Sequence, residues 1–153
     1  MHKTVITDTS ILILFQKIES LDLLQKVYGE LVTTPEVAKE FGEEMPVWIK
    51  IQSPSDNKYQ DFLSTQVDIG EASAIALAIE LEDVLLLIDD LKARKLAKQL
   101  NFKITGTLGI IHKAKQLLII KNVKPFIDRL LLTNFRITKN IVDEILKLNN
   151  ELN

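Results

Sequence analysis

Short apolar segments alternate with amphipathic helical segments along this chain, and this order constrains the fold more than any other feature. The segments with the character of strands are Thr4–Thr7, Leu31–Thr33 and residues 47–51, 84–88 and 102–105. Residues 84–88 are continuously apolar, as expected for a strand that helices cover on both faces. Strands that alternate with helices predict an α/β fold, in which a parallel sheet lies between two layers of helices.

Apolar residues at helical spacing predict the helices that connect these strands. Residues 70–81 are almost wholly apolar and rich in alanine, which predicts a buried helix packed against the sheet. Thr34 and Pro35 have the residue types of an N-cap and of a first helical position. The predicted helices are residues 9–18, 21–27, the segment that starts at Pro35, Lys58–Leu63, 70–81, 91–100, 110–118, 125–132 and Lys139–Leu148.

Composition narrows the class of protein. The 153 residues suit one domain, and no linker divides them. The chain has no cysteine and two histidines, which excludes disulfides and thiolate metal sites and leaves too few ligands for zinc. Without a signal peptide or an apolar run of membrane-spanning length, we expect a soluble cytoplasmic protein with no membrane partner. A net charge of −2 argues against nucleic-acid binding by bulk electrostatics.

Acidic residues lie where the apolar segments end. Asp8 follows the first strand, Glu40 lies in a helix, Glu71 opens another helix, and Asp89 and Asp90 close the fourth strand. Ligands of parallel sheets bind outside the carboxyl ends of the strands, where Asp8 and Asp89 are expected. Carboxylates that gather there repel one another unless a cation or proton offsets their charge. A cluster of oxygen ligands favours Mg²⁺ or Mn²⁺, so the sequence predicts a metal site.

Each acid also has a structural interpretation. Asp8 has the position of an N-cap for the helix that follows it, and Asp68 with Glu71 has the spacing of a capping box. Asp90 is placed to cap the helix at residues 91–100, which makes Asp89 the better metal candidate of that pair. Glu40 lies beyond the first turn of its helix and cannot cap it, although an exposed glutamate needs no special explanation. The metal-site interpretation is favoured because all these acids converge on one edge of the predicted sheet.

Four motifs of the chain occur together: Val-Ile-Thr-Asp-Thr-Ser at 5–10, Pro-Glu-Val-Ala-Lys-Glu at 35–40, Gly-Glu-Ala-Ser-Ala-Ile-Ala-Leu-Ala at 70–78 and Leu-Ile-Asp-Asp-Leu-Lys-Ala-Arg at 87–94. Together they resemble the PIN-domain family. Two further stretches, at 46–49 and 105–109, are similar to a compact prokaryotic subgroup that is often encoded as the toxin of a toxin–antitoxin pair. The resemblance covers residues 3 to 120 and leaves 121–153 as a helical C-terminal extension of the same single domain.

The resemblance implies a metal-dependent endoribonuclease with Mg²⁺ or Mn²⁺ as its cofactor. Carried over motif by motif, the four acids would be Asp8, Glu40, Glu71 and Asp89, with Asp90 as an alternative to the last. Thr9 or Ser10, and Thr107 in the later motif, would be supporting hydroxyls. Many PIN domains have aspartate at the third position, where this chain has the longer Glu71. The bound cations would activate a water for attack on the phosphodiester.

The resemblance also implies partners: an RNA substrate, a small antitoxin protein and a second copy of the chain. Leu130, Leu131, Leu132 and Phe135 could form a dimer interface or could equally complete the core. Two other functions stay open. One is a PIN-fold module with weak catalysis that acts by binding RNA or protein. The other is a receiver-like phospho-acceptor domain, which is disfavoured because it would leave Glu40 and Glu71 without a role.

Overall fold

The predicted strands pair into one parallel sheet in the computed structural model of the protein, which describes residues 4–153. The strands are β1 (Thr4–Thr7), β2 (Leu31–Thr33), β3 (Ile49–Ile51), β4 (Val84–Leu87) and β5 (Lys103–Thr105). Their order across the sheet is β3-β2-β1-β4-β5, and every neighbouring pair is parallel. The predicted α/β fold is therefore confirmed.

Helices follow the strands in the predicted alternation. They are α1 (Thr9–Lys17), α2 (Leu21–Tyr28), α3 (Pro35–Phe41), α4 (Lys58–Leu63), α5 (Ile69–Glu80), α6 (Leu91–Gln99), α7 (Thr107–Gln116), α8 (Lys124–Leu130) and α9 (Lys139–Leu148). Most predicted boundaries differ from these by one or two residues, as is usual at fraying helix ends. The prediction that the helix at 110–118 begins at residue 110 is wrong, because α7 already begins at Thr107.

Helices cover both faces of the sheet, as the continuous apolar β4 predicts. On one face, Val5 and Leu85 belong to a buried cluster with residues of α1, α2, α3, α7 and α8. On the other face, Ile6 and Leu86 pack with α5 and α6. The alanine-rich α5 is buried from Gly70 through Ala78, because small side chains let its backbone lie close to the strands.

The carboxyl ends of the central strands are level with one another. Thr7 of β1 pairs with Leu87 of β4, and Leu87 pairs with Thr105 of β5. Beyond this register, the Asp8 N–H donates to the Leu87 carbonyl at 3.3 Å. The residues that leave β1 and β4 are thereby brought to the same edge of the sheet, which sets the position of the site described next.

The C-terminal helices pack onto the core. Leu130 of α8 is fully buried, and Leu146 of α9 is 7% exposed in the same cluster as the sheet residues. Glu151 fixes the end of the chain, because it accepts hydrogen bonds from Lys115 Nζ at 2.7 Å and from the Val123 N–H at 2.8 Å. Within residues 4–153, no helix is long and apolar enough to cross a membrane.

Candidate active site

Asp8 is the most deeply buried of the predicted site acids, with 1% of its surface exposed. It leaves β1 and caps α1, where its Oδ1 accepts the Ile11 N–H at 3.1 Å. The predicted role of Asp8 as an N-cap is therefore confirmed, and Oδ1 is the oxygen that forms the cap. The other oxygen, Oδ2, is buried and has no hydrogen-bond partner among the described residues. A buried carboxylate oxygen without a partner is costly, so this atom calls for a ligand that the N-cap role does not supply.

Burial raises the pKa of Asp8 well above its ordinary value, and the charges of Glu71, Asp89 and Asp68 raise it further. The hydrogen bond from the Ile11 backbone only partly opposes these effects. An acid that is protonated because of burial and like charges becomes ionised when a cation is placed beside it. Burial and the neighbouring acids therefore distinguish Asp8 from an exposed helix cap.

Glu71 is also buried, with 5% of its surface exposed. It occupies the third position of α5, where its N–H donates to Asp68 Oδ1 at 2.8 Å and its Oε1 accepts the Asp68 N–H at 3.3 Å. The predicted capping box is confirmed. Burial, followed by the charges of Asp68 and Asp90, raises the pKa of Glu71 to about 7. A carboxyl group with such a pKa can hold or release a proton near neutral pH.

Glu40 reaches the site from α3. Its Oε1 accepts a hydrogen bond from Thr9 Oγ1 at 3.3 Å, which links α3 to the first turn of α1. Gly70 of α5 lies against the same carboxylate: a Cβ at this position would overlap Glu40 Oε1 and lie 3.0 Å from Thr9 Oγ1. Thr9 thus donates a hydrogen bond to one of the predicted site acids, and the missing side chain of Gly70 leaves room for the carboxylate of Glu40.

Asp89 is half-buried, and both of its oxygens are hydrogen-bonded to Thr107. Oδ1 accepts the Thr107 N–H at 2.8 Å, and Oδ2 accepts the Thr107 hydroxyl at 2.5 Å. Asp89 therefore caps α7 from the segment that follows β4, since the N-cap residue Gly106 has no side chain to do so. This is the physical reason why α7 begins three residues before its predicted start. Each carboxylate oxygen retains a second lone pair, so these bonds orient Asp89 without excluding a cation.

Asp90 caps α6, where its Oδ2 accepts the Ala93 N–H at 3.0 Å, as predicted. Its charge still contributes to raising the pKa of Glu71. One turn further along α6, Arg94 Nη1 donates to the Ile88 carbonyl at 3.0 Å. A Cβ on Gly106 would lie 2.6 Å from that Nη1 and 2.5 Å from Asp89 Oδ1, so Gly106 allows both groups to approach the same turn.

The chemical type of the predicted ligands suits a hard divalent cation, since all are carboxylates and Asp8 Oδ2 is buried without a hydrogen-bond partner among the described residues. Their side chains are not gathered into a cage. Within the part of the chain that the structure describes, no three His, Cys, Asp or Glu side chains are grouped closely enough to hold a metal ion. Asp8, Glu71 and Asp89 interact through their charges, whereas Glu40 is linked to the group only by Thr9 and Gly70.

Two cavities lie near the sheet. One of about 490 Å³ lies between α2 and α7 and is lined by Tyr28, Thr105 and Lys113 among others, but by no acid among the described residues. The other, of about 230 Å³, is smaller and includes both Ser10 and Asp89 in its lining. Of these two cavities, only the smaller has a predicted site acid, Asp89, in its lining, so volume alone does not identify the site.

Sequence reasoning did not identify Gly70 or Arg94 as parts of the site. Gly70 precedes Glu71 in the motif that resembles a known family, but its contact with Glu40 joins two helices that are far apart in sequence. Arg94 lies six residues after the carbonyl that it binds, on a helix that the sequence predicts only as amphipathic. The signal available was the glycine directly before Glu71, because glycine is used where another group approaches the backbone closely.

Comparison with known protein families identifies the family of this chain. A protein-family model described as the PIN domain matches residues 4–151. The match spans the sheet, all of the acids above and the C-terminal helices α8 and α9. None of the curated proteins compared with the chain matches it.

Proposed function

We propose that this chain, which belongs to the PIN-domain family, is an endoribonuclease that uses Mg²⁺ or Mn²⁺ to hydrolyse RNA. PIN domains are generally nucleases. The observation that carries the proposal for this chain is Asp8: a buried carboxylate at the end of β1 with one oxygen unpartnered and with acidic neighbours that raise its pKa. A purely structural cap would not need the second oxygen or the surrounding acids.

In this proposal Asp8, Glu40, Glu71 and Asp89 are the ligands, and Asp90 is the alternative to Asp89. A bound cation would lower the pKa of a water and offset the negative charge that develops on the phosphodiester. Thr107 holds Asp89 in a fixed orientation through two hydrogen bonds. Glu71 or Asp89 would accept the proton of the attacking water, through an oxygen that is not bound to the cation.

Glu40 differs from the other proposed ligands in its position. It is exposed, and Thr9 holds it beside Gly70 rather than in direct contact with Asp8. We assign to it a cation ligand role from the α3 side, with Thr9 as its positioning hydroxyl. Ser10, exposed in the first turn of α1, would contact the substrate rather than the cation.

The experiment that tests the proposal is cleavage of a mixed set of RNAs by the purified protein, with Mn²⁺ or Mg²⁺ and with EDTA. Asp8→Asn keeps the shape and the N-cap acceptor while removing the charge. Asp128→Asn, on the exposed face of α8, is the matched control. Cleavage that requires the cation, is lost in Asp8→Asn and is retained in Asp128→Asn supports the proposal. Equal cleavage by both variants would refute it.

We further propose that the nuclease is the toxin of a toxin–antitoxin pair, acts in the cytoplasm and is restrained by a small antitoxin. Support comes from the stretches at 46–49 and 105–109, which are similar to the compact prokaryotic subgroup. The test is growth after induced expression: arrest with the wild-type chain and normal growth with Asp8→Asn. A wild-type chain that cleaves RNA in vitro but never slows growth would contradict the toxin role.

A second candidate is a PIN-fold module that binds RNA or protein with weak catalysis. Two observations favour it: both oxygens of Asp89 are bonded to Thr107, and no three acids in residues 4–153 are grouped to hold a metal. RNA binding that persists in EDTA, without cleavage in either cation, would identify this function.

A homodimer is a further proposal. Leu130 is buried in the core, whereas Leu131 is 50% exposed and Leu132 is 88% exposed. Exposed leucines at the end of α8 could meet the same surface of a second copy. Leu132→Ser would then convert a dimer to a monomer in light scattering, and an unchanged mass would exclude this surface.

A further inference from the structure

The smaller cavity, called here the α1 pocket, extends from the candidate site along one face of α1. Ser10, Ile13, Leu14 and Lys17 line it. Their spacing of three, four and seven residues is that of one helical face. Asp89, one of the predicted site acids, also lines it. A ligand in the α1 pocket would therefore lie beside Asp89.

The opposite wall comes from the segment after α8. Asn134 and Phe135 line the pocket, and Lys17 Nζ lies 3.5 Å from Asn134 Oδ1 across it. The segment is held in place, since the Phe135 N–H donates to Thr133 Oγ1 at 3.1 Å and that hydroxyl donates to the Leu130 carbonyl at 2.6 Å. The wall is thus built before any ligand binds, which reduces the entropy lost on binding.

The lining has the chemistry of a nucleobase site. Phe135 supplies a ring for stacking, Asn134 supplies an amide that can both donate and accept, and Lys17 supplies a cation for a phosphate. The volume of about 230 Å³ is below the roughly 300–1,000 Å³ of pockets for whole drug-sized ligands. It suits one flat ring system. Because the chain has a net charge of −2, its affinity for RNA must come from local contacts of this kind.

We infer that the α1 pocket binds one unpaired base of a single-stranded RNA whose backbone passes the site acids. The inference rests on the proposed ribonuclease function. A base in a duplex is paired and stacked and cannot enter the pocket, so a duplex of the same sequence should not bind there. The C-terminal extension, through Asn134 and Phe135, is then part of substrate recognition.

The test measures binding separately from cleavage. Asp8→Asn protein with Mg²⁺ is titrated into a fluorescein-labelled, mixed-sequence single-stranded RNA, and anisotropy gives the dissociation constant. Phe135→Leu in this background keeps an apolar side chain but loses the ring, and should weaken binding roughly tenfold. Phe62→Leu removes a ring that is exposed on α4 outside the pocket, and should leave binding unchanged. A duplex of the same sequence should not compete.

Two further measurements guard against a folding defect and locate the base. Asn134→Ala alters an exposed side chain and should weaken binding without changing the unfolding midpoint. RNAs with a single abasic position are then scanned. At one position, loss of the base should weaken binding to the Asp8→Asn protein but not to the same protein carrying Phe135→Leu, as expected for two groups that contact each other.

The outcomes separate this inference from the proposed function. If Phe135→Leu and Asn134→Ala bind as tightly as Phe62→Leu, or if no RNA binds, the base pocket is overturned whatever the cleavage assay shows. If RNA binding depends on the pocket residues but the chain with intact Asp8 cleaves no RNA, the base pocket is supported and the proposed nuclease function is refuted. If the chain cleaves RNA and the pocket variants do not change RNA binding, the proposed nuclease function is supported and the base pocket is refuted.

Discussion

The cation-free protein is expected to lose stability as the pH rises from about 4.5 to 7, because Glu71 is buried among other acids. Its pKa is raised from the ordinary value of 4.5 to about 7. Between these values the folded protein keeps a proton that the unfolded chain releases, so the free energy of unfolding falls with rising pH. The difference between about 7 and 4.5, at about 1.4 kcal/mol per pH unit, corresponds to about 3 kcal/mol. Asp8, whose pKa is also raised by burial, adds to the loss.

The assay is urea unfolding in EDTA at a series of pH values from 4.5 to 8. Glu71→Gln keeps the capping-box hydrogen bond but cannot ionise, so its stability should fall less steeply with pH. Near pH 8 it should exceed the wild type by up to about 3 kcal/mol, or roughly 6–12 °C in Tm for a domain of this size. Glu82→Gln, at an exposed position, is the matched control. Identical slopes for wild type and Glu71→Gln would refute the reasoning.

Three further predictions concern neighbouring contacts. Gly70→Ala should displace the Glu40 carboxylate and lower cleavage at least severalfold while changing stability by less than about 1 kcal/mol; unchanged kcat/KM would contradict it. Thr107→Val should cost about 1 kcal/mol in urea unfolding and weaken Mn²⁺ binding, since Asp89 loses its hydroxyl donor; full Mn²⁺ affinity would show that this bond does not orient the acid. Glu151→Gln should lower the free energy of unfolding by about 1–3 kcal/mol, because it removes a carboxylate that accepts hydrogen bonds from a half-buried lysine and from two backbone N–H groups. Cleavage should be retained, and loss of cleavage in the folded variant would contradict a purely structural role for Glu151.

Features that depend on neighbouring residues in the sequence could be predicted. The caps formed by Asp8 and Asp90 and the capping box of Asp68 and Glu71 each join residues three apart, so the residue types and their spacing were sufficient. The parallel sheet followed from the alternation of strands and helices, and the continuous apolar run of β4 correctly indicated helices on both faces.

Contacts between distant segments could not be predicted in this way. Asp89 caps α7 across 18 residues, and this is why the predicted start of that helix was wrong. Gly70 meets Glu40 because α3 and α5 pack side by side, which no local pattern reveals. The sequence predicts Phe135 only as a core or interface residue, because the α1 pocket exists only once the C-terminal segment packs beside α1.

The measurement that tests the central claim most directly is Mn²⁺ binding by isothermal titration calorimetry, without RNA, at pH 8. The site acids are expected to bind Mn²⁺ in the wild-type chain, and Asp8→Asn should abolish the binding because it removes the charge of the most buried acid. Asp128→Asn should bind as the wild type does. Equal Mn²⁺ affinity in Asp8→Asn and wild type, or no binding by either, would contradict the assignment of these acids as a metal site.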